Sequence, residues 1–189
     1  ITNSGEISAD NDLGLLNNAT GTITAITNSG EISAADDFGL QNRGIIGSIT
    51  NSGTISAGND FGISNTGTIT TITNTGRISA SGNNIGILNT GTITTLNNSQ
   101  GATTSALTYD GTLPTNYNII VNSISDFGKI VFSDVSGAIN FGIDSSSTLA
   151  DVDTTYSSVL SGLSSSDIAS GTSGTSISGA ITKTWTLVN

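Results

Sequence analysis

The chain has no cysteine, no histidine and no methionine, a single proline at Pro114, and only four basic residues, Arg43, Arg77, Lys129 and Lys183. Each shortage excludes something. Without cysteine or histidine there is no thiol chemistry, no disulfide framework and no thiolate or imidazole ligand for zinc. Without histidine a serine triad is impossible, however abundant serine is. Four cations against 14 acidic residues, a net charge of −10, cannot neutralise a run of phosphates. That excludes nucleic acid as a partner and disfavours an anionic membrane surface. No apolar run reaches the roughly 18 residues that a membrane helix needs, so direct membrane insertion of this segment is not expected. Leu, Lys and Glu are too scarce for a helical protein.

Ser, Thr, Asn, Gly and Ile dominate instead, a mixture that favours strands punctuated by turns. A disordered Ser/Gly-rich chain is the competing reading of such a composition. Regular repetition argues against it. The string ITNSGEIS at Ile1 recurs unchanged at Ile26, as ITNSGTIS at Ile49 and ITNTGRIS at Ile72, with a degenerate LNNSQG at Leu96. The start-to-start steps are 25, 23, 23 and 24 residues. The extra residues fall in turns, at 17–21 in the first repeat and near Ser81 in the fourth, where a stacked architecture tolerates them. A second half-repeat follows within each period, as in Ile63-Ser-Asn65-Thr-Gly67-Thr-Ile69 and Ile87-Leu-Asn89-Thr-Gly91-Thr-Ile93, with looser copies beginning at Leu15 and Leu40. Each period therefore offers three or four short strands separated by Asn/Gly corners and one acidic corner. A helical solenoid of this period would lose about 1 kcal/mol at each of these glycines.

These features predict an all-β fold: a right-handed parallel β-helix, or β-solenoid, with about 23–25 residues per coil and an irregular β cap at the C-terminus. Stacking at about 4.8 Å sets like residues over one another. The expected inward columns are Ile7/Ile32/Ile55/Ile78, Ile23/Ile46/Ile69/Ile93, Leu15/Leu40/Ile63/Ile87 and Leu13/Phe38/Phe61/Ile85. Two asparagine columns, Asn3/Asn28/Asn51/Asn74/Asn98 and Asn17/Asn42/Asn65/Asn89, are expected to hydrogen-bond along the axis at inner corners. Gly5, Gly30, Gly53 and Gly76 are expected to supply a positive φ where the coil bends. Residues 1–104 form the repeat coils; 105–189 form the end of the β-helix and its cap. In that second part Tyr117, Ile119 and Val121 alternate, GKIVFSD, GAINFGID and YSSVLSGLS read as longer strands, TWTLV at Trp185 as a strand, and Ser161–Gly179 as a loop or irregular cap.

The ITNSGxIS…NTGTIT repeats resemble the passenger domains of autotransporters and related haemagglutinin-like adhesins. The stretch TYDGTLPTNYNIIVNSISDFGKIVFS, with YSSVLSGLS and TWTLV after it, is similar to the C-terminal portion of such passengers, just before the membrane barrel. The resemblance covers essentially the whole chain. It implies display outside the cell, on the surface of a Gram-negative bacterium, with the C-terminal part nucleating folding there. The chain begins in mid-pattern without a leader and no barrel strands follow Asn189, which reads as a processed or excised piece of something longer.

The remaining motifs carry little chemistry. Asp-Phe-Gly occurs at Asp37, Asp60 and Asp126 and is expected at one repeated corner; no phosphate-gripping lysine accompanies it, which excludes a kinase. The acidic column Asp12/Asp37/Asp60, with Asn84 above and Asn11/Asp36/Asn59/Asn83 beside it, is expected to be a solvated corner, calcium being the alternative. Glu6 and Glu31 start a column continued by Thr54 and Arg77; polysaccharide-cleaving β-helices use clusters of carboxylates with an Arg or Lys in a groove, and four basic residues scattered over the chain do not assemble one. The Thr-x-Thr strands at Thr22/Thr24, Thr68/Thr70 and Thr92/Thr94 resemble an ice-binding array, interrupted by Ile45 and Gly47. No catalytic, cofactor or metal site is expected. The expected function is a non-enzymatic structural or adhesive module binding surface glycans or proteins of a host or neighbouring cell; the alternative is association of copies into a filament or sheath.

Overall fold

The structure is a computed structural model that describes residues 1–81, 85–101, 103–149, 153–178 and 181–188. It is a β-solenoid of about six turns. The first coil contains β1 (Thr2–Asn3), β2 (Glu6–Ala9) and β3 (Leu13–Asn17). The second contains β4 (Thr22–Asn28), β5 (Glu31–Ala34) and β6 (Phe38–Asn42), and the third β7 (Ile45–Asn51), β8 (Thr54–Ala57) and β9 (Phe61–Asn65). The fourth contains β10 (Thr68–Asn74), β11 (Arg77–Ala80) and β12 (Ile87–Asn89). Above them lie β13 (Thr92–Asn98), β14 (Leu107–Thr112), β15 (Asn116–Ile119), β16 (Val121–Ser123), β17 (Asp126–Phe127), β18 (Ile130–Ser136) and β19 (Ile139–Ile143). The chain ends with β20 (Leu160–Ser161), a short 3-10 turn at Ser165–Asp167, β21 (Ile168–Ser170), β22 (Ser173–Ser178) and β23 (Ile181–Thr186).

Three parallel sheets wrap the core. The first has eight strands in the order β1-β4-β7-β10-β13-β15-β19-β21; the second, β2-β5-β8-β11; the third, β3-β6-β9-β12-β14-β18-β20. Two of the three run without a break past residue 105. The second stops at β11. Higher up, its side of the molecule carries the antiparallel pair β16–β17.

Register follows the repeat. Ile7, Ile32, Ile55 and Ile78 stack on one another, as do Ile23, Ile46, Ile69 and Ile93. The column Leu15/Leu40/Ile63/Ile87 continues into Tyr109 and Phe132. A further column, Ile26/Ile49/Ile72/Leu96/Tyr117/Phe141, runs up the first sheet. It escapes a strict period-two reading because the seven-residue strands bend in the middle: in β10, Ile69, Ile72 and Asn74 are buried, Thr70 is exposed and Thr71 half-buried. Inward spacing is therefore three and then two, the mark of two short strands joined at a corner.

Two expectations need correction. Phe38 and Phe61 stack with ring centroids 5.9 Å apart and planes 7° from parallel, yet are half-buried, as are Leu13 and Ile85. They follow directly on the acidic corner, where the coil turns and covers only part of each ring. Ile7 and Ile23, near the open first coil, are also only partly buried and pack against the core from its end. Second, Gly5, Gly30, Gly53 and Gly76 do not have positive φ. They are required for a different reason. A Cβ on Gly30, Gly53 or Gly76 would fall 1.9–2.1 Å from the carbonyl oxygen of the glycine one coil below. The corner backbones touch, and only hydrogen fits between them.

The columns change from aliphatic to aromatic towards the C-terminal end. Tyr109 and Tyr117 meet Phe132 edge-on at 5.5 and 6.1 Å, and Trp185 meets Phe141 at 5.5 Å. Trp185 belongs to the β22–β23 hairpin, which is antiparallel and lies outside the stack. The segment expected to be a loop, Ser161–Gly179, thus contains a 3-10 turn, β21 and the first strand of a hairpin, whereas YSSVLSGLS contributes only the two residues of β20. Gly179 itself lies outside the described residues.

Candidate functional site

The recurring asparagines sit at two inner corners and form two continuous ladders. Asn3, Asn28, Asn51 and Asn74 each donate through Nδ2 to Oδ1 of the next asparagine, ending at Asn98, over 2.8–3.1 Å. In the second ladder Asn17 donates to Asn42, Asn42 to Asn65 and Asn65 to Asn89 over 2.7–2.8 Å. Every amide but that of Asn74, which donates to the Gln100 side chain instead, also donates to backbone. Asn28 Nδ2 reaches the Gly30 carbonyl of its own corner at 3.2 Å and the Thr54 carbonyl of the next coil at 2.9 Å. All are buried. An unpaired amide in such a place costs about 1–3 kcal/mol, so the repeated asparagine is an internal fastener with no group left for a ligand.

Gln100 completes this device. It occupies the slot two residues after Asn98 that Gly5, Gly30, Gly53 and Gly76 fill in the lower coils. A side chain cannot lie on Gly76 as another coil would, and the second sheet ends there. The Gln100 side chain instead covers the edge of β11. Its Oε1 accepts from Ile78 N at 2.8 Å and from Asn74 Nδ2 at 3.0 Å, and its Nε2 donates to the Ile78 carbonyl at 3.2 Å. One side-chain amide thus makes the pair of bonds that a paired strand would make with Ile78. The sequence signal was present, a glutamine in a glycine slot, but its consequence was not legible without the end of the sheet.

The acidic corner repeats as expected at Asp12, Asp37 and Asp60, with backbone bonds from Phe38 N to the Asp12 carbonyl and from Phe61 N to that of Asp37. Asn59 Nδ2 donates to Asp36 Oδ1 at 2.8 Å. Partial withdrawal from water, and then the carboxylates of Asp60, Asp12 and Asp36, hold Asp37 above its ordinary range. No group of three acidic side chains among the described residues is placed to hold a metal ion. Asn83 and Asn84 lie outside the described residues. Asp126 is not at this corner: it begins β17, and its Oδ2 accepts from Asn122 Nδ2 at 2.9 Å.

Glu6, Glu31, Thr54 and Arg77 stand in one column on the second sheet. Arg77 at its top donates from Nε to Ser79 Oγ at 3.0 Å. On the first sheet Thr22, Ile45, Thr68 and Thr92 are in register, so Ile45 does interrupt the threonine array.

Two concavities mark the surface. A cavity of about 890 Å³ lies at the C-terminal end, between Ile119, Phe141 and Leu149 of the stack and Tyr156, Trp185 and Leu187 of the covering segments. A smaller polar groove of about 270 Å³ lies where the second sheet stops, beside Arg77, Thr103, Thr104 and Asp126. No family model, no curated protein and no solved structure matches the chain.

Proposed function

We propose that the chain is a non-enzymatic, surface-displayed structural and adhesive module, part of an autotransporter-like passenger. The observation that carries this reading is the use made of the repeat. Every recurring asparagine is consumed in bonding coil to coil, and the glycines beside them serve close stacking. What repeats is therefore stiffness, and the outside is left to hydroxyl, amide and carboxylate groups suited to glycans and proteins. Passengers of this kind present a long inert rod to another surface, and the aromatic closure at Tyr109, Tyr117, Phe132 and Phe141 suits the end from which folding would start.

End-to-end growth of copies is the less favoured reading. A copy adding to the first coil would have to present two asparagine corners 14 residues apart, as Asn3 and Asn17 are. The last strands of the chain present β21 and the β22–β23 hairpin instead. Electron microscopy of the purified chain is expected to show isolated rods of one length, and binding to arrayed glycans or to host cells is expected without any polymer being hydrolysed. Hydrolysis, or filaments of variable length, would overturn the reading.

A further inference from the structure

We infer that the polar groove beside β11 is a carbohydrate subsite that takes one neutral hexose ring presenting a vicinal diol; this rests on the adhesive reading above. The groove exists because the second sheet stops. Below it the corner backbones stack without a gap. Above β11 the chain turns away through Gln100, and the space left, about 270 Å³, is lined by Thr54, Thr75, Arg77, Thr103, Thr104 and Asp126. That volume lies just under the roughly 300–1,000 Å³ of sites for larger ligands, which limits the occupant to about one sugar ring.

The lining selects the chemistry. Arg77 is one of only four basic residues in the chain, and it lines the same groove as a carboxylate. Each charged group is tied to a neighbour on its own segment: Arg77 Nε donates to Ser79 Oγ at 3.0 Å, and Asp126 Oδ2 accepts from Asn122 Nδ2 at 2.9 Å. The first bond leaves the guanidinium Nη groups as donors, and the second leaves the other carboxylate oxygen as an acceptor. Held donors and acceptors of this kind lose little freedom on binding. A phosphate or a sugar acid would meet Asp126; a cation would meet Arg77; an apolar ligand would desolvate both charged groups. A vicinal diol satisfies both sides, its hydroxyls donating to the carboxylate and accepting from the guanidinium. Among the described residues no aromatic side chain lines the groove, so the affinity of a single ring is expected to be weak, with a dissociation constant on the order of millimolar.

The test is amide-resolved NMR of the ¹⁵N-labelled chain titrated with the methyl glycosides of glucose, galactose, mannose and N-acetylglucosamine. At least one should give saturable shifts concentrated at Gly53, Gly76, Arg77, Thr103 and Asp126. Arg77→Met and Asp126→Ala should each weaken that binding tenfold or more without altering the thermal melt, while Asp60→Asn, at the acidic corner, should leave it unchanged. Absence of saturable shifts with every glycoside overturns the proposal. So do shifts that persist in both variants, or shifts produced by zwitterionic glycine and by no sugar. Adhesion of the chain to cells with no glycoside shift at the groove would sink the subsite and leave the adhesive reading standing.

Discussion

At the scale of single residues, asparagine and glycine occupy their corners for reasons of reach and room. Asn51 accepts from Asn28 and donates to Asn74, to the Gly53 carbonyl and to the Arg77 carbonyl. In Asn51→Asp the carboxylate keeps the first bond and points a charge at three acceptors. Thermal melts should show a loss of roughly 3–5 kcal/mol at neutral pH, as for an uncompensated buried charge. Burial raises the pKa of such a carboxyl in the folded state, so the deficit should shrink as pH falls and the protonated acid donates again. Gly53→Ala places a Cβ 2.0 Å from the Gly30 carbonyl oxygen; overpacking of this kind costs about 1–3 kcal/mol, and calorimetry should find it towards the upper end because the obstacle is backbone. Asp37 carries the opposite lesson to a salt-bridged acid. Its carboxyl is held above the ordinary range in the folded chain, so folding is penalised above that raised value and relieved as pH drops below the unfolded one. Asp37→Asn should raise the melting temperature at neutral pH and change nothing in acid, as a pH series of melts would show.

At the scale of elements, the second sheet is the instructive one. It has four strands where its neighbours have eight and seven, and a single amide closes it. Gln100→Ala should expose the Ile78 N–H and take one of the two acceptors from the Asn74 amide. Hydrogen exchange should speed up at Ile78, and stability should fall by about 1–3 kcal/mol, the cost of buried groups left unpaired, while the first and third sheets keep their protection. How much of this was readable depended on repetition. Columns such as Ile7/Ile32/Ile55/Ile78 and both asparagine ladders were legible because equal spacing maps directly onto stacking. The Ile26/Ile49/Ile72 column was not recognised as inward-facing, since the bend inside each long strand breaks the alternation that marks an inward residue. The role of the corner glycines was misassigned because sequence alone does not distinguish a backbone that needs an unusual φ from one that needs an empty space. Beyond Gly101 the repeat lapses, and the hairpin around Trp185 could only be read as a strand of unknown partner. The groove beside Arg77 draws residues from segments as far apart as Ser52 and Asp126, and no local pattern announces it.

At the scale of the whole molecule, the solenoid behaves as a one-dimensional stack whose stability is a sum of coil-to-coil terms. Its two ends differ. At the first coil, Gly5 has no atom within 4 Å of the place a Cβ would occupy, and Leu13 and Leu15 are only half-buried. At the other end aromatic rings and a hairpin cover the core. In these 189 residues taken alone, opening should therefore proceed from the first coil. Hydrogen exchange should rank protection lowest in β1–β3 and highest in β7–β13, and uniform protection along the stack would contradict this.

The ladders give the rod one more property. Strand dipoles in a sheet largely cancel, but each asparagine amide hands its proton to the neighbour in the same axial sense, seven times over two corners. These side-chain moments add. The two ladders therefore carry a moment along the stack axis, running from Asn3, whose Oδ1 accepts from Gly5 N, to last donors spent on the carbonyls of Gln100 and Thr112. Rods lying side by side would lower their mutual electrostatic energy by alternating direction, and transient electric birefringence should detect a permanent moment along the long axis.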